Sequence, residues 1–274
     1  MTITDDYVLG THDQELARLG LQHRVWRSRA LEAWSRAGFT AGQTLLDVGC
    51  GPGYAALDLA EIAGAGGRVV AVDRSPRFLD ALRSAAVRNS LTNITARQVD
   101  LDADALPVSG ADGAWVRWVF AFLNRPRELA ARIAAALRPG GTLVVHEYLN
   151  YRQWKFARKS PLFEEFVDVV MRSWRASGGE PEIALPLTGW LEESGFRIVS
   201  LRPYTDVITP TDFMWQWPST FFDVGLRRLI DLGDMTEERA EAMRSEFATR
   251  ASAPDARMVT PAVLEIVARK ESSA

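Results

Sequence analysis

The residues best placed for chemistry lie in LLDVGCGPGYAALDLA, Leu45 to Ala60. An apolar run of buried-strand type carries Asp47 next to last, Gly49, Gly51 and Gly53 follow at alternate positions, and a helical pattern resumes at Tyr54. A bare backbone between a strand and a helix can bend sharply and approach a ligand that a Cβ would hold off, and the helix's first N–H groups point into the bend. Strand, glycine loop and helix together are the chemistry of a nucleoside-cofactor site. The spacing is G-x-G-x-G rather than the G-x-G-x-x-G of dinucleotide folds, and a plain packing turn is the other reading.

Later segments supply what such a site needs. RVVAVDRSP, Arg68 to Pro76, is a second apolar strand ending in Asp73, 20 positions after Gly53. A carboxylate at that place accepts from both hydroxyls of a ribose, although Ser75 and Pro76 open a helix beside it and give Asp73 a second reading as N-cap. NITARQVDLDADALP then gives a third strand followed by Asp100 and Leu101. ADGAWVRWVFAF and ALRPGGTLVVHEY give a fourth and fifth strand around an Ala-rich helix, stopped at Pro139, Gly140 and Gly141 because proline and glycine both break helices.

The glycine motif with Asp47 before it, the later Asp73, and LRPGG ahead of the fifth strand resemble, in sequence and order, the class I S-adenosylmethionine (SAM) dependent methyltransferases. The resemblance covers about 150 residues from Leu45, the size of a domain. It implies an α/β fold, a doubly wound Rossmann-like seven-stranded sheet with an antiparallel last strand. It also implies SAM as cofactor, held by Asp47, Gly49, Gly51, Gly53, Asp73, Arg74, Asp100, Leu101 and Arg117, with Asp100 and Leu101 at the adenine and Arg117 lending its backbone near the donor. The leader YVLGTHDQELARLGLQHRVW resembles that of small-molecule methyltransferases of quinone and secondary-metabolite pathways, in which a tyrosine and a helix close over the cofactor.

Methyl transfer from a sulfonium is an in-line displacement that creates little charge, so alignment and exclusion of water are the main contributions expected of the protein. His146 and Glu147 close the fifth strand, where ligands of open α/β sheets lie, and either can serve as proton acceptor; Tyr7, from the leader, is the third catalytic candidate. Each has a plain alternative as hydrogen-bonded structure, and His23, also on the leader, can either reach the donor or serve packing alone. Tyr148, Tyr151, Trp154, Trp215, Trp217 and Phe221 can wall an acceptor pocket, because aromatic faces stack on planar rings and attract amines. Lid packing or a dimer contact is their other reading. The three histidines, His12, His23 and His146, have no metal-ligand spacing, so no metal is expected.

These residues need elements to hold them. One methyltransferase domain over 1–274 is expected: an N-terminal helical cap (1–40), a cofactor core (41–148), two helical and aromatic insertions (149–185 and 205–250) and closing strands (186–204 and 260–270). Leu16, Leu19 and Val25 lie at helical spacing in the cap. AVLEIVARK, Ala262 to Lys270, looks like an edge strand, although in the family this strand runs between two others. The chain has 274 residues, 47% hydrophobic and 24% charged, ordinary for a soluble globular protein. A formal net charge of -3, with arginines scattered and forming no basic run, argues against nucleic acid as partner.

Cys50 is the only cysteine, no apolar start marks a signal segment, and no apolar run reaches the ~18 residues of a membrane span. A cytoplasmic monomer or homodimer acting on a small molecule is therefore expected: a SAM-dependent methyltransferase working on oxygen or nitrogen of a hydrophobic or aromatic metabolite. The alternatives are a non-catalytic SAM-binding sensor, a protein or nucleic-acid methyltransferase, and a nicotinamide dehydrogenase.

Overall fold

The alternation of apolar runs and amphipathic stretches folds as a mixed sheet between helices. In the computed structural model, which describes residues 13–272, the order is α1 (Asp13–Ala37), β1 (Thr44–Val48), α2 (Tyr54–Ala63), β2 (Arg68–Asp73), α3 (Pro76–Arg88), β3 (Ile94–Gln98) and β4 (Ala111–Arg117). A 3-10 turn (Phe120–Phe122), α4 (Pro126–Ala136), β5 (Leu137–Asn150), β6 (Lys155–Phe156), α5 (Pro161–Ala176), α6 (Ala184–Glu193) and β7 (Phe196–Tyr204) follow. The chain then forms β8 (Val207–Ile208), a second 3-10 turn (Phe213–Trp215), α7 (Gln216–Asp231), α8 (Glu237–Ala251), β9 (Met258–Val259) and β10 (Ala262–Lys270).

Seven strands lie in the order β3-β2-β1-β4-β5-β10-β7, and β6, β9 and β8 form a separate small sheet. β1 pairs in parallel with both β2 and β4, β4 in parallel with β5, and β10 runs antiparallel to both its neighbours. Strand order reverses between β1 and β4. In an open α/β sheet that reversal splits the crossover helices to opposite faces and leaves a crevice at the carboxyl ends of those two strands. β10 is an inner strand, with Ala262 to Ala268 all buried; an apolar run flanked by charges does not distinguish an inner strand from a short edge strand.

Consecutive residues of β1 face opposite ways, so Leu46 joins the core under α4 and α6, while Leu45 joins the one under α1 and α2. A third apolar cluster is built by α5, α7 and the segments around them. In α1 the apolar spacing of Leu16 and Leu19 does not define the buried face of the first turns. Glu15 and Arg18 are buried instead, joined by two hydrogen bonds of 2.6 and 2.7 Å, with the guanidinium 5.9 Å from the Phe221 ring centre. Mutual neutralisation in a bidentate pair is what lets two charges occupy that face.

Candidate functional site

The three glycines after β1 all have positive φ, and each meets a different constraint. A Cβ on Gly49 would run into Val119, and one on Gly53 into Leu82 of α3. These two let loop and helix pack. A Cβ on Gly51 would meet nothing, because that side of the backbone faces a cavity. The Gly51 N–H donates to Asp73 Oδ2 at 2.8 Å and the Ser75 N–H to Asp73 Oδ1 at 2.9 Å. Asp73 therefore ties the glycine loop to the end of β2. Ser75 takes the cap of α3, its Oγ accepting from Phe78 N–H at 3.3 Å, so the N-cap reading of Asp73 gives way, and its carboxylate, which also accepts from the Arg74 N–H, keeps capacity for a further donor.

The cavity, about 240 Å³, opens at the reversal point between β1 and β4. Asp47, Gly49, Gly51, Asp73, Arg74, Asp100, Leu101 and Arg117 all line it, and Gly53 does not. Two of these keep a buried polar atom with no hydrogen bond: Asp47 Oδ2 and Arg117 Nη1 are shielded from solvent and bonded to nothing among the described residues. Burial pushes the Asp47 carboxyl up to about 7, against the pull of Arg117. Burial likewise brings the Arg117 guanidinium down to about 10. Burial also raises Asp73, opposed by the Ser75 and Gly51 N–H groups.

Further wall comes from residues outside the glycine motif: Leu19, Gln22 and His23 of α1, Tyr54 of α2, and Trp115 and Trp118 around the end of β4. His23 Nε2 lies 3.0 Å from Asp58 Oδ2 and its Nδ1 lies 3.1 Å from Arg117 Nη2. Arg27 holds Asp58 from the other side at 2.9 and 3.1 Å. Trp118 sits at φ 52, a conformation a bulky residue adopts only when its surroundings impose it. Its N–H is fixed by His146 O at 3.0 Å, and its ring stacks with Tyr148 and Trp217. No spacing in the sequence announces the His23, Asp58 and Arg117 set, because three separate elements bring it together.

The expected proton acceptors lie elsewhere. His146 is fully buried, its Nε2 3.3 Å from Glu265 and its ring against Trp26 and Trp115. Glu147 is fully buried as well, and one oxygen accepts from the Val119 and Phe120 N–H groups at 2.7 Å each. It caps the first 3-10 turn, and burial raises its carboxyl to about 8 despite those bonds. Neither lines the cavity, so the structure corrects both assignments: one supports the sheet and the other a turn. Tyr7 lies outside the described residues.

The acceptor wall expected from Tyr148, Tyr151, Trp154, Trp215, Trp217 and Phe221 is also corrected. All six are buried, 8% exposed or less, in the cluster beneath α5 and α7, in ring contacts such as Tyr148 with Tyr151 at 4.9 Å and Trp154 with Phe221 at 6.1 Å. Filling one another's faces, they form a core, which Trp118 and Phe122 join to the cavity.

Residues 46–145 match the family described as "Methyltransferase domain". Over these residues the chain carries a methyltransferase domain, similar to those of the class I SAM-dependent methyltransferases. The cofactor of these methyltransferases is SAM. Among the relatives is a ribosomal protein L11 methyltransferase of Cupriavidus metallidurans, 35% identical over 56% of this chain and 45% of the relative. Another is a 2-phytyl-1,4-naphtoquinone methyltransferase of Synechocystis, 27% identical over 50% of this chain and 60% of the relative. The chain thus spans less than two thirds of either relative. A solved structure of a putative methyltransferase from Bacillus halodurans superposes with a TM-score of 0.61 at 16% identity, covering 89% of this chain and all of that one, a likeness of fold.

The cavity fits SAM chemically. A cradle that a Cβ on Gly51 would fill, a buried carboxylate oxygen and a buried guanidinium nitrogen each without a hydrogen bond suit a ligand carrying both an ammonium and a carboxylate. Asp73 and Asp100 stand where hydroxyl and amino donors can be received. Among the described residues no group of three or more His, Cys, Asp or Glu side chains is arranged to hold a metal ion.

Proposed function

We propose that this chain transfers the methyl group of SAM to oxygen or nitrogen of a small, hydrophobic or aromatic molecule by in-line displacement in a closed cavity. The observation that carries this reading is that Asp47, Gly51, Asp73 and Asp100 all line one cavity. Asp47 and Arg117 would hold the amino-acid end, Asp73 the ribose and Asp100 with Leu101 the adenine. When bound, SAM supplies a methyl carbon made electrophilic by its sulfonium. The protein's share is to fix that carbon's direction, receive the acceptor beside it and exclude water.

A small acceptor is favoured by how α1 covers the site. Tyr54 O–H donates to Leu16 O at 3.0 Å, Gly20 lies close enough to the Tyr54 ring that a Cβ would meet it at 2.9 Å, and Arg227 Nη1 reaches Gln14 at 3.1 Å. A helix clamped between α2 and α7 leaves a folded protein little access. The relative named for ribosomal protein L11 supports the second reading, a protein acceptor. Incubation of the chain with methyl-labelled SAM and two pools, a metabolite extract and purified ribosomal proteins, separates them. Label is expected in an organic-soluble product; label in protein alone would contradict the small-acceptor reading, and no transfer to either would leave a SAM-binding protein without this activity.

A further inference from the structure

We infer that His23 and Asp58 form the proton-accepting pair of this site, and that the group methylated is an acidic hydroxyl, a phenol or an enol. The inference rests on the methyltransferase reading and names its acceptor class. Asp58 accepts the hydrogen of His23 Nε2 across 3.0 Å, which leaves the lone pair on Nδ1, the nitrogen facing Arg117. A carboxylate behind an imidazole fixes its tautomer and stabilises the imidazolium formed when it takes a proton. Two bonds from Arg27 keep Asp58 from turning away, and the Tyr54 ring stacks on the imidazole at 6.0 Å. His23, Tyr54 and Arg117 face the same cavity as Asp47 and Gly51. His146 is sealed inside the molecule, so among the described residues His23 is the histidine with access to a guest.

The charges around His23 select the guest. Asp58 and Tyr54 face it from α2, Arg27 from its own helix and Arg117 from β4, with Asp47 of β1 beyond Arg117. Burial lowers its basicity, Arg117 and Arg27 lower it further, and Asp58 opposes them. The imidazole is therefore neutral near pH 7 and free to accept. A guanidinium at 3.1 Å from the accepting nitrogen repels an ammonium and stabilises an oxyanion. An acceptor hydroxyl takes the place of Arg117 Nη2 at Nδ1 and gives its proton to the imidazole. Its oxygen lone pair forms the new C–O bond as the C–S bond breaks and leaves its pair on sulfur. The products are a methyl ether, S-adenosylhomocysteine and a His23 imidazolium that returns its proton to solvent.

The test uses the full chain saturated with S-adenosylhomocysteine. With three histidines in the sequence, imidazole nitrogen NMR resolves His23: the expected state is Nε2 protonated and Nδ1 bare, titrating below an ordinary histidine, and lower still in Asp58→Asn. 4-Nitrophenol, whose anion alone absorbs in the visible, is then titrated in. The wild type is expected to bind it as the anion, and His23→Gln to lose at least tenfold in that binding; where His23→Gln does not fold, Asp58→Asn replaces it. A proton on Nδ1 before nitrophenol is added, nitrophenol bound neutral or not at all, or His23→Gln capturing the anion like the wild type would each overturn the inference while leaving SAM binding intact. Failure to bind S-adenosylhomocysteine would instead overturn the methyltransferase reading.

Discussion

Gly49, Gly51 and Gly53 look equivalent in the sequence, and their alternate spacing showed that a bare backbone was required there. Which of them faces the ligand depends on Val119 and Leu82, residues contributed from far along the chain. Gly53→Ala puts a Cβ at φ 85 against Leu82 and is expected to cost about 2–4 kcal/mol of stability, measured by denaturant unfolding. Asp47 could be singled out from its place before the glycines, but not its full burial with one oxygen left without a hydrogen bond. Its carboxyl, raised to about 7, is largely protonated at pH 6. Affinity for S-adenosylhomocysteine, followed by calorimetry, is therefore expected to fall several-fold from pH 8 to pH 6, and Asp47→Asn to bind weakly at both. A pH-independent affinity in the wild type would mean that the ligand's ammonium does not meet Asp47.

At the scale of elements, hydrophobic rhythm placed the strands and the α5 segment well, because burial on both faces leaves a strong pattern. It misdirected the aromatic insertions, since a pocket wall and a packed core draw on the same residues. It also missed the Glu15 and Arg18 pair, whose burial depends on Phe221 two hundred residues later. α1 is held to α2 by the Tyr54 hydroxyl on Leu16 O and by His23 and Arg27 on Asp58. Tyr54→Phe removes one of those ties. The expected result is a loss of about 1 kcal/mol in stability and faster release of S-adenosylhomocysteine by stopped flow, with the ribose and adenine contacts untouched. An unchanged release rate would show that α1 does not gate the cavity.

Across the whole molecule, one buried carboxylate joins four elements. Glu265 of β10 takes Arg36 of α1 at 2.7 Å, Tyr204 of β7 at 3.0 Å and His146 of β5 at 3.3 Å. Burial works against its charge, but His146 and Arg36 prevail and hold it down at about 2. A carboxyl whose folded value is depressed stabilises above its unfolded value near 4.5 and loses that contribution as pH falls from there towards 2. The stability difference between wild type and Glu265→Gln is thus expected to be on the order of 2–3 kcal/mol at pH 7 and to shrink below pH 4.5, read from urea midpoints. The parallel core was legible from motif order and the inverted last strand from the family resemblance; the ionic tie was not, because its members are spread from Arg36 to Glu265.

The most direct measurement is calorimetric titration of the full chain with SAM and, separately, NAD. One SAM per chain is expected, with no heat from NAD and no SAM binding in Gly51→Val, whose side chain would enter the cavity. Binding of NAD in place of SAM, or normal SAM affinity in Gly51→Val, would contradict the account.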